Sequence, residues 1–152
     1  MGCDEHMYVE VLTDTGWKPV NPLLPNDEEQ IFDQWGYYWS YNKSWTPKSA
    51  DAILWNFGRS YRNYERLAGV RGDVSNAISP PRGFPKDASE EVLKDYDRWS
   101  MDAHDATYLN ANELSKESED TRIGKLYLQL CIIAEECNVT TDKVRIIVWF
   151  DN

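Results

Sequence analysis

The sequence predicts an α+β fold: a small, mostly antiparallel sheet that includes both terminal strands and is packed by helices, in one domain spanning residues 1–152. Three observations predict it. Residues 3–12 alternate, with Met7, Val9 and Val11 set against His6, Tyr8 and Glu10, the period of two of a strand. Residues 143–150 (KVRIIVWF) are β-branched and aromatic. Between them, Ile123, Leu126, Tyr127, Leu130, Ile133, Ala134 and Cys137 form an unbroken helical stripe.

The remaining elements follow in order. Residues 13–26 hold three prolines and a glycine and read as loop. Asn26, followed by Asp27, Glu28 and Glu29, suits a short helix start. The run from Trp35 to Trp45 is dense in Trp and Tyr without a clean period, irregular or strand-like, and more often core than a stacking platform. Residues 51–68 read as a helix broken near Gly58, with Tyr61, Tyr64 and Ala68 on one face, Arg59, Arg62 and Arg66 on another, and Gly69 as its stop. After a Pro- and Gly-containing loop, Asp87 with Glu90 resembles a capping box for a helix over 88–99, with Val92, Tyr96 and Trp99 inward. An extended piece, MDAHDATYL, leads to a small helix at 111–117. Thr121 caps the long helix, which Asn138 can end in a left-handed turn.

Composition narrows the function. The chain carries a formal charge of −10 and is 13% aromatic, so disorder is excluded and polymeric nucleic acid or an anionic membrane would repel it. No apolar run approaches the roughly 18–20 residues of a membrane span, and the acidic start lacks the apolar core of a secretory signal. Cys3, Cys131 and Cys137 are an odd number without a close pair, which fits reduced thiols in a cytoplasm.

Both histidines follow an aspartate by two residues, Asp4-Glu5-His6 and Asp102-Ala103-His104. In extended chain such residues share a face, where a carboxylate can orient an imidazole for general-base work or metal ligation. If the pairs converge, they offer two nitrogens and two carboxylates to a divalent metal; the competing reading is two unrelated surface histidines. Cys3 with Asp4 and His6 is a weaker local metal clip. A two-histidine phosphodiesterase is excluded, because Tyr8 and Ala106 stand where that chemistry needs Ser or Thr.

Basic residues concentrate in the middle of the chain. Residues 59–86 carry Arg59, Arg62, Arg66, Arg71, Arg82 and Lys86 against Glu65 and Asp73, a net +4 that leaves −14 for the rest. Such a cluster can seat a phosphate or carboxylate, or it can neutralise the protein's own acids.

Five segments together resemble an uncharacterised family of small phage and bacterial proteins: MGCDEH at 1–6, LAGVR at 67–71, PRGFP at 81–85, DAH at 102–104 and WFDN at 149–152. The resemblance spans the chain and implies a phage-associated protein in the host-cell cytoplasm; it brings no established activity. Glu5 departs from the family's Ile, and the 32–57 aromatic stretch is longer than expected. If the terminal strands pair antiparallel, Asp4 and His6 lie near Trp149 and Asp151.

Three readings follow. In the first, Arg59, Arg62, Arg66, Arg71 and Arg82, with Trp149 and Asp151 nearby, bind a small anionic, nucleotide-like ligand, sequestering a host defence signal. In the second, His6 and His104, oriented by Asp4 and Asp102, serve a hydrolase, metal-dependent or not. In the third, the acidic or Trp-rich surface docks on a host protein, and self-association into a homo-oligomer is open in all three.

Overall fold

A computed structural model describes residues 2–20, 31–33, 36–38, 59–99 and 101–152. The predicted helix start after Asn26, most of the 35–45 run and residues 51–58 with Gly58 lie outside the described residues. The elements are β1 (Asp4–Thr13), β2 (Gly16–Pro19), β3 (Ile31–Asp33), β4 (Gly36–Tyr38), α1 (Tyr61–Ala68), α2 (Glu90–Arg98), β5 (His104–Asn110), α3 (Ala111–Leu114), α4 (Arg122–Glu136) and β6 (Val144–Asp151). The main sheet is antiparallel with order β2-β1-β6-β5, and β3 and β4 pair separately. The fold is α+β, with both terminal strands at the centre of the sheet.

Strand β1 pairs with β6 from Asp4↔Asp151 through His6↔Trp149 to Val11↔Val144. Alternation assigns the faces. Cys3, Met7, Val9 and Val11 of the first strand, with Val144, Ile146, Val148 and Phe150 of the last, join Tyr64 and Leu67 of α1, Leu114 of α3 and Leu126, Leu130 and Ile133 of α4 in the larger core. We refer to this as the helical face. On the opposite face, Tyr8, Ile147 and Trp149 pack with Val92, Tyr96 and Trp99 of the α2 segment and with Phe84 from the preceding loop.

The first strand is therefore covered on both sides, not half-buried as its alternation suggests. His6, Tyr8 and Glu10 are buried because α2 and its loop lie over them. Burial demands partners for these polar groups. Glu10, fully buried, takes two guanidinium hydrogen bonds from Arg145 across the β1–β6 pair, at 3.0 and 2.8 Å, and one from the Ser89 backbone N–H at 2.8 Å. Tyr8 donates its hydroxyl to Asp95 of α2. Burial first and this carboxylate second push the Tyr8 phenol well above the ordinary tyrosine range.

Local signals explain the element ends. Gly69 ends α1 at φ +75°, and Asn138 takes φ +55° just past α4. Thr121 caps α4 by accepting from Gly124 N–H. The predicted Asp87 cap is corrected: Ser89 is the N-cap of α2, accepting from Val92, while Asp87 is drawn off to Arg145 and the Trp17 indole. A true capping box occurs at Asn110 and Glu113 instead, and α3 stops at Leu114, short of the predicted 117. All three cysteines are free. Among the described residues, no helix is long and apolar enough to cross a membrane.

Leu130 is fully buried at the centre of the larger core. Leu130→Ala should therefore destabilise the protein by roughly 2–5 kcal/mol, read as a lowered urea midpoint with an unchanged slope. An unaltered midpoint would contradict the packing described.

Candidate functional site

Three strand ends meet at one end of the sheet: the start of β1, the end of β6 and the start of β5. They carry most of the residues that the sequence singles out, but alternation distributes them over two faces. His6, Trp149 and Asp151 share the α2 face. His6 Nε2 lies 2.5 Å from Asp151 Oδ2, and the ring is sandwiched between Trp99 at 4.3 Å and Trp149 at 5.5 Å between centroids. A carboxylate accepts, so Nε2 is the donor in this contact.

His104 lies on the helical face. It is opposite Phe150 in the sheet, and its Nε2 is 4.0 Å from the Cys3 thiol sulfur. The expected convergence of the two histidines is thus overturned, and a β-bulge is the cause. His104 pairs with Phe150, whereas Thr107 pairs with Val148, so β5 contains one extra residue between these points. Without it, His104 would oppose Asp151 and share a face with His6. The extra residue turns its side chain through the sheet to Cys3.

The orienting carboxylates also differ from expectation. Asp4 shares a face with His6, but is exposed and paired with Arg59, at 3.0 and 2.7 Å. Asp102 is exposed in the turn before β5, off the regular strand, where period-two reasoning does not hold. His104 is held by its neighbour Asp105, with Nδ1 2.7 Å from Oδ2. Asp105 sits at φ +50°, the conformation of the bulge, which costs a non-glycine residue about 1 kcal/mol or more. The Asp105 carboxylate accepts from Nδ1, and Nε2 faces sulfur, where a neutral ring presents its lone pair. Cys3, His104 and Asp105 thereby form a thiol–imidazole–carboxylate series, the arrangement of nucleophile, base and orienting group.

Cys3 is fully covered. Burial pushes its thiol above the ordinary range; Arg71 beside it opposes that, and Asp151 and Asp4 reinforce it. Arg71 is itself exposed, held at φ +60°, donates to Asn152 Oδ1 at 3.3 Å and lies 5.7 Å from the Tyr61 ring centre. Two non-glycine residues in the left-handed region, Arg71 and Asp105, thus flank one cysteine. Glu5, the departure from the family pattern, points to the helical face, nearly fully buried close to Tyr64; desolvation and then the Glu5 charge raise the Tyr64 phenol.

The arginines do not gather at one point. Arg59 and Arg71 belong to this sheet end. Arg66 instead binds Glu117 and the Asn76 carbonyl, and Arg82 binds Glu113 through both guanidinium nitrogens, one at 2.9 Å, and the Tyr108 carbonyl at 2.9 Å. Arg62 is exposed, with no ion pair among the described residues. Three of the five thus neutralise the protein's own carboxylates, as its excess of acid favours. Nor do His6, His104, Asp4 and Asp102 form the predicted ligand set. Among the described residues no three His, Cys, Asp or Glu side chains gather to hold a metal ion.

Sequence reasoning weighs Cys3 as a metal ligand or a small buried hydrophobe, not as a nucleophile, and misses Asp105. Cys3 is in phase with Met7 and Val9, which marks it for the helical face. No signal of comparable strength marks the bulge, although an Asp beside a His at a strand start is a place to look for one.

Comparison with protein-family profiles, curated proteins and solved structures gives no match to this chain in any of the three.

The Arg82 guanidinium, followed by the Asn110 backbone N–H, holds the Glu113 carboxyl below the usual carboxylate range, against the effect of burial. A depressed folded-state value means that the pair's contribution is present above the unfolded pKa, roughly 4.3, and is lost as pH falls through the folded one. Glu113→Gln keeps an acceptor for Asn110 N–H and removes the charge along with the Oε2 acceptor of Arg82. It should lower stability in urea unfolding at pH 7, and the loss should shrink as the pH is taken progressively below about 4; a loss that stays constant with pH would show that the charge contributes nothing.

Proposed function

We propose that the chain is a thiol-dependent hydrolase, acting on the acyl group of a small anionic ester, thioester or amide. One observation carries this reading: the Cys3–His104–Asp105 series, in which the imidazole lone pair faces sulfur and the opposite ring nitrogen is held by a carboxylate.

In the reaction, His104 Nε2 takes the thiol proton while sulfur attacks the acyl carbon. The carbon–sulfur bond forms, and the carbonyl pair moves to oxygen. Arg71, lying against the sulfur, is placed to stabilise that negative charge or a substrate carboxylate. Collapse expels the leaving group, which takes the proton from His104. Water, deprotonated by the same nitrogen, then cleaves the thioester and returns the proton to sulfur. Asp105 keeps the tautomer and steadies the imidazolium between these steps. The raised thiol fits a resting state with the proton on sulfur, so that base and nucleophile act together on substrate. The cover over Cys3 includes the exposed side chain of Arg71, whose rotation would admit the substrate. The resemblance to phage-associated proteins adds a setting, the cytoplasm of an infected bacterium, where thiols stay reduced.

The test needs no knowledge of the natural substrate. In native protein, iodoacetamide should label Cys3 at a rate that falls at least about tenfold in His104→Ala, with Cys131 and Cys137 unaffected. Turnover of p-nitrophenyl acetate should show an acyl-enzyme burst that Cys3→Ser abolishes and Asp105→Asn reduces by about 100-fold. If Cys3 is labelled only upon unfolding, or equally fast without His104, it is a packing residue and the reading falls.

A further inference from the structure

Arg66 and Arg82, which the sheet-end chemistry leaves aside, lead to the edge of a second feature. A cavity of about 510 Å³ opens beside α3, and Arg66, Asn110, Asn112, Glu113, Lys116 and Glu117 line it. Its size is within the usual range for a site that holds a small metabolite.

The hydrogen-bonding capacity of this lining is lopsided. Most of its side-chain acceptors are occupied: Glu113 Oε1 takes Arg82 and the Asn110 N–H, Glu113 Oε2 takes Arg82 again, and Glu117 takes Arg66 through Oε1. Asn110 Oδ1 accepts from the Glu113 N–H and Asn112 Oδ1 from the Thr141 hydroxyl. The backbone donor at Glu113 fixes the Asn110 amide orientation, and with the Thr141 bond both side-chain NH2 groups are left without a protein partner among the described residues. Lys116, exposed at the rim, likewise has no ion pair or hydrogen bond among them. Counting Arg82 with the carboxylate that it holds, the group carries three cations against two carboxylates. Arg82 stands behind the lining, so what remains to be satisfied is chiefly donor capacity, with Lys116 the cation that holds no carboxylate among the described residues.

We propose that this cavity is a binding site for a phosphate monoester. Lys116 meets the phosphate charge, and the Asn110 and Asn112 amides donate to its oxygens. Three separate donor groups match the three terminal oxygens of a phosphate better than the two of a carboxylate. Ala77 and Ile78 complete the wall and offer an apolar surface to the rest of the molecule. The site is independent of Cys3 and needs no chemistry from it.

Titration of 15N-labelled full-length protein with AMP, followed through the Asn side-chain amide resonances at constant ionic strength, tests this. The Asn110 and Asn112 NH2 signals should shift saturably. Lys116→Glu, which reverses an exposed charge, should weaken AMP at least tenfold, as should Asn112→Asp, which keeps the acceptor for Thr141 and replaces the donor. Adenosine and malonate should bind at least tenfold more weakly than AMP, and Cys3→Ser should bind AMP as the parent does. Shifts reproduced by sodium chloride, undiminished in Lys116→Glu, or matched by malonate would each overturn the proposal.

Discussion

The pairing of the chain's two ends is the constraint on which the rest of the structure depends. Strands β1 and β6 are the two inner strands of the four-stranded sheet, so the β1–β2 hairpin and the β5–β6 pair join into one sheet only when residues more than about 130 positions apart have met. Closing a loop of that length costs about 4 kcal/mol in chain entropy beyond a constant term, before any contact compensates. The compensation is spread over both faces. The helical face supplies apolar burial through Met7, Val9, Ile146 and Val148. The other face supplies a cross-strand ion pair, Glu10 with Arg145, that no aqueous ion can reach. A buried pair of this kind adds little net stability over an apolar pair of the same shape, but it penalises every wrong register, because a slip leaves a charge buried alone.

Covering both faces of the central strands has a second effect. At the end of the two central strands where β1 begins and β6 finishes, cover thins, and polar residues come near solvent. Cys3, Asp4, His104, Asp105 and Asp151 all lie there, and the half-buried and exposed ones among them surround a covered sulfur. The polar residues in mid-strand, Glu10 and Arg145, are instead committed to one another and to Ser89 and Asp87 of the covering loop. The packing that stabilises the middle of these two strands thus leaves their ends as the place where the candidate site residues gather.

The parts of the fold that obey one period over many residues were legible in the sequence. The α4 stripe from Ile123 to Ala134, the alternation of β1 and the β-branched β6 each repeat a single signal several times, and the antiparallel meeting of Asp4 and His6 with Trp149 and Asp151 followed from them. What was not legible depended on single residues. Ser89 rather than Asp87 caps α2 because Arg145, distant in sequence, claims the aspartate. The burial of His6 required knowing that α2 crosses above it. The Asp105 bulge, one residue long, reversed the face of His104, and with it the composition of the candidate site; the carboxylate partners of Arg66 and Arg82, just after and on α3, are tertiary neighbours that no local pattern marks.

That bulge makes the site depend on chain length more than on side-chain identity. No substitution at position 104 can carry its side chain from one face of the sheet to the other, whereas removing either residue between His104 and Thr107, Asp105 or Ala106, would do so at once. The partner of the imidazole would then change from a sulfur to a carboxylate with no ring atom altered. Drift by point mutation leaves the thiol and imidazole opposed, and only an insertion or deletion separates them. Relatives of this chain are therefore best compared by counting residues across this short segment, before asking which residues they are.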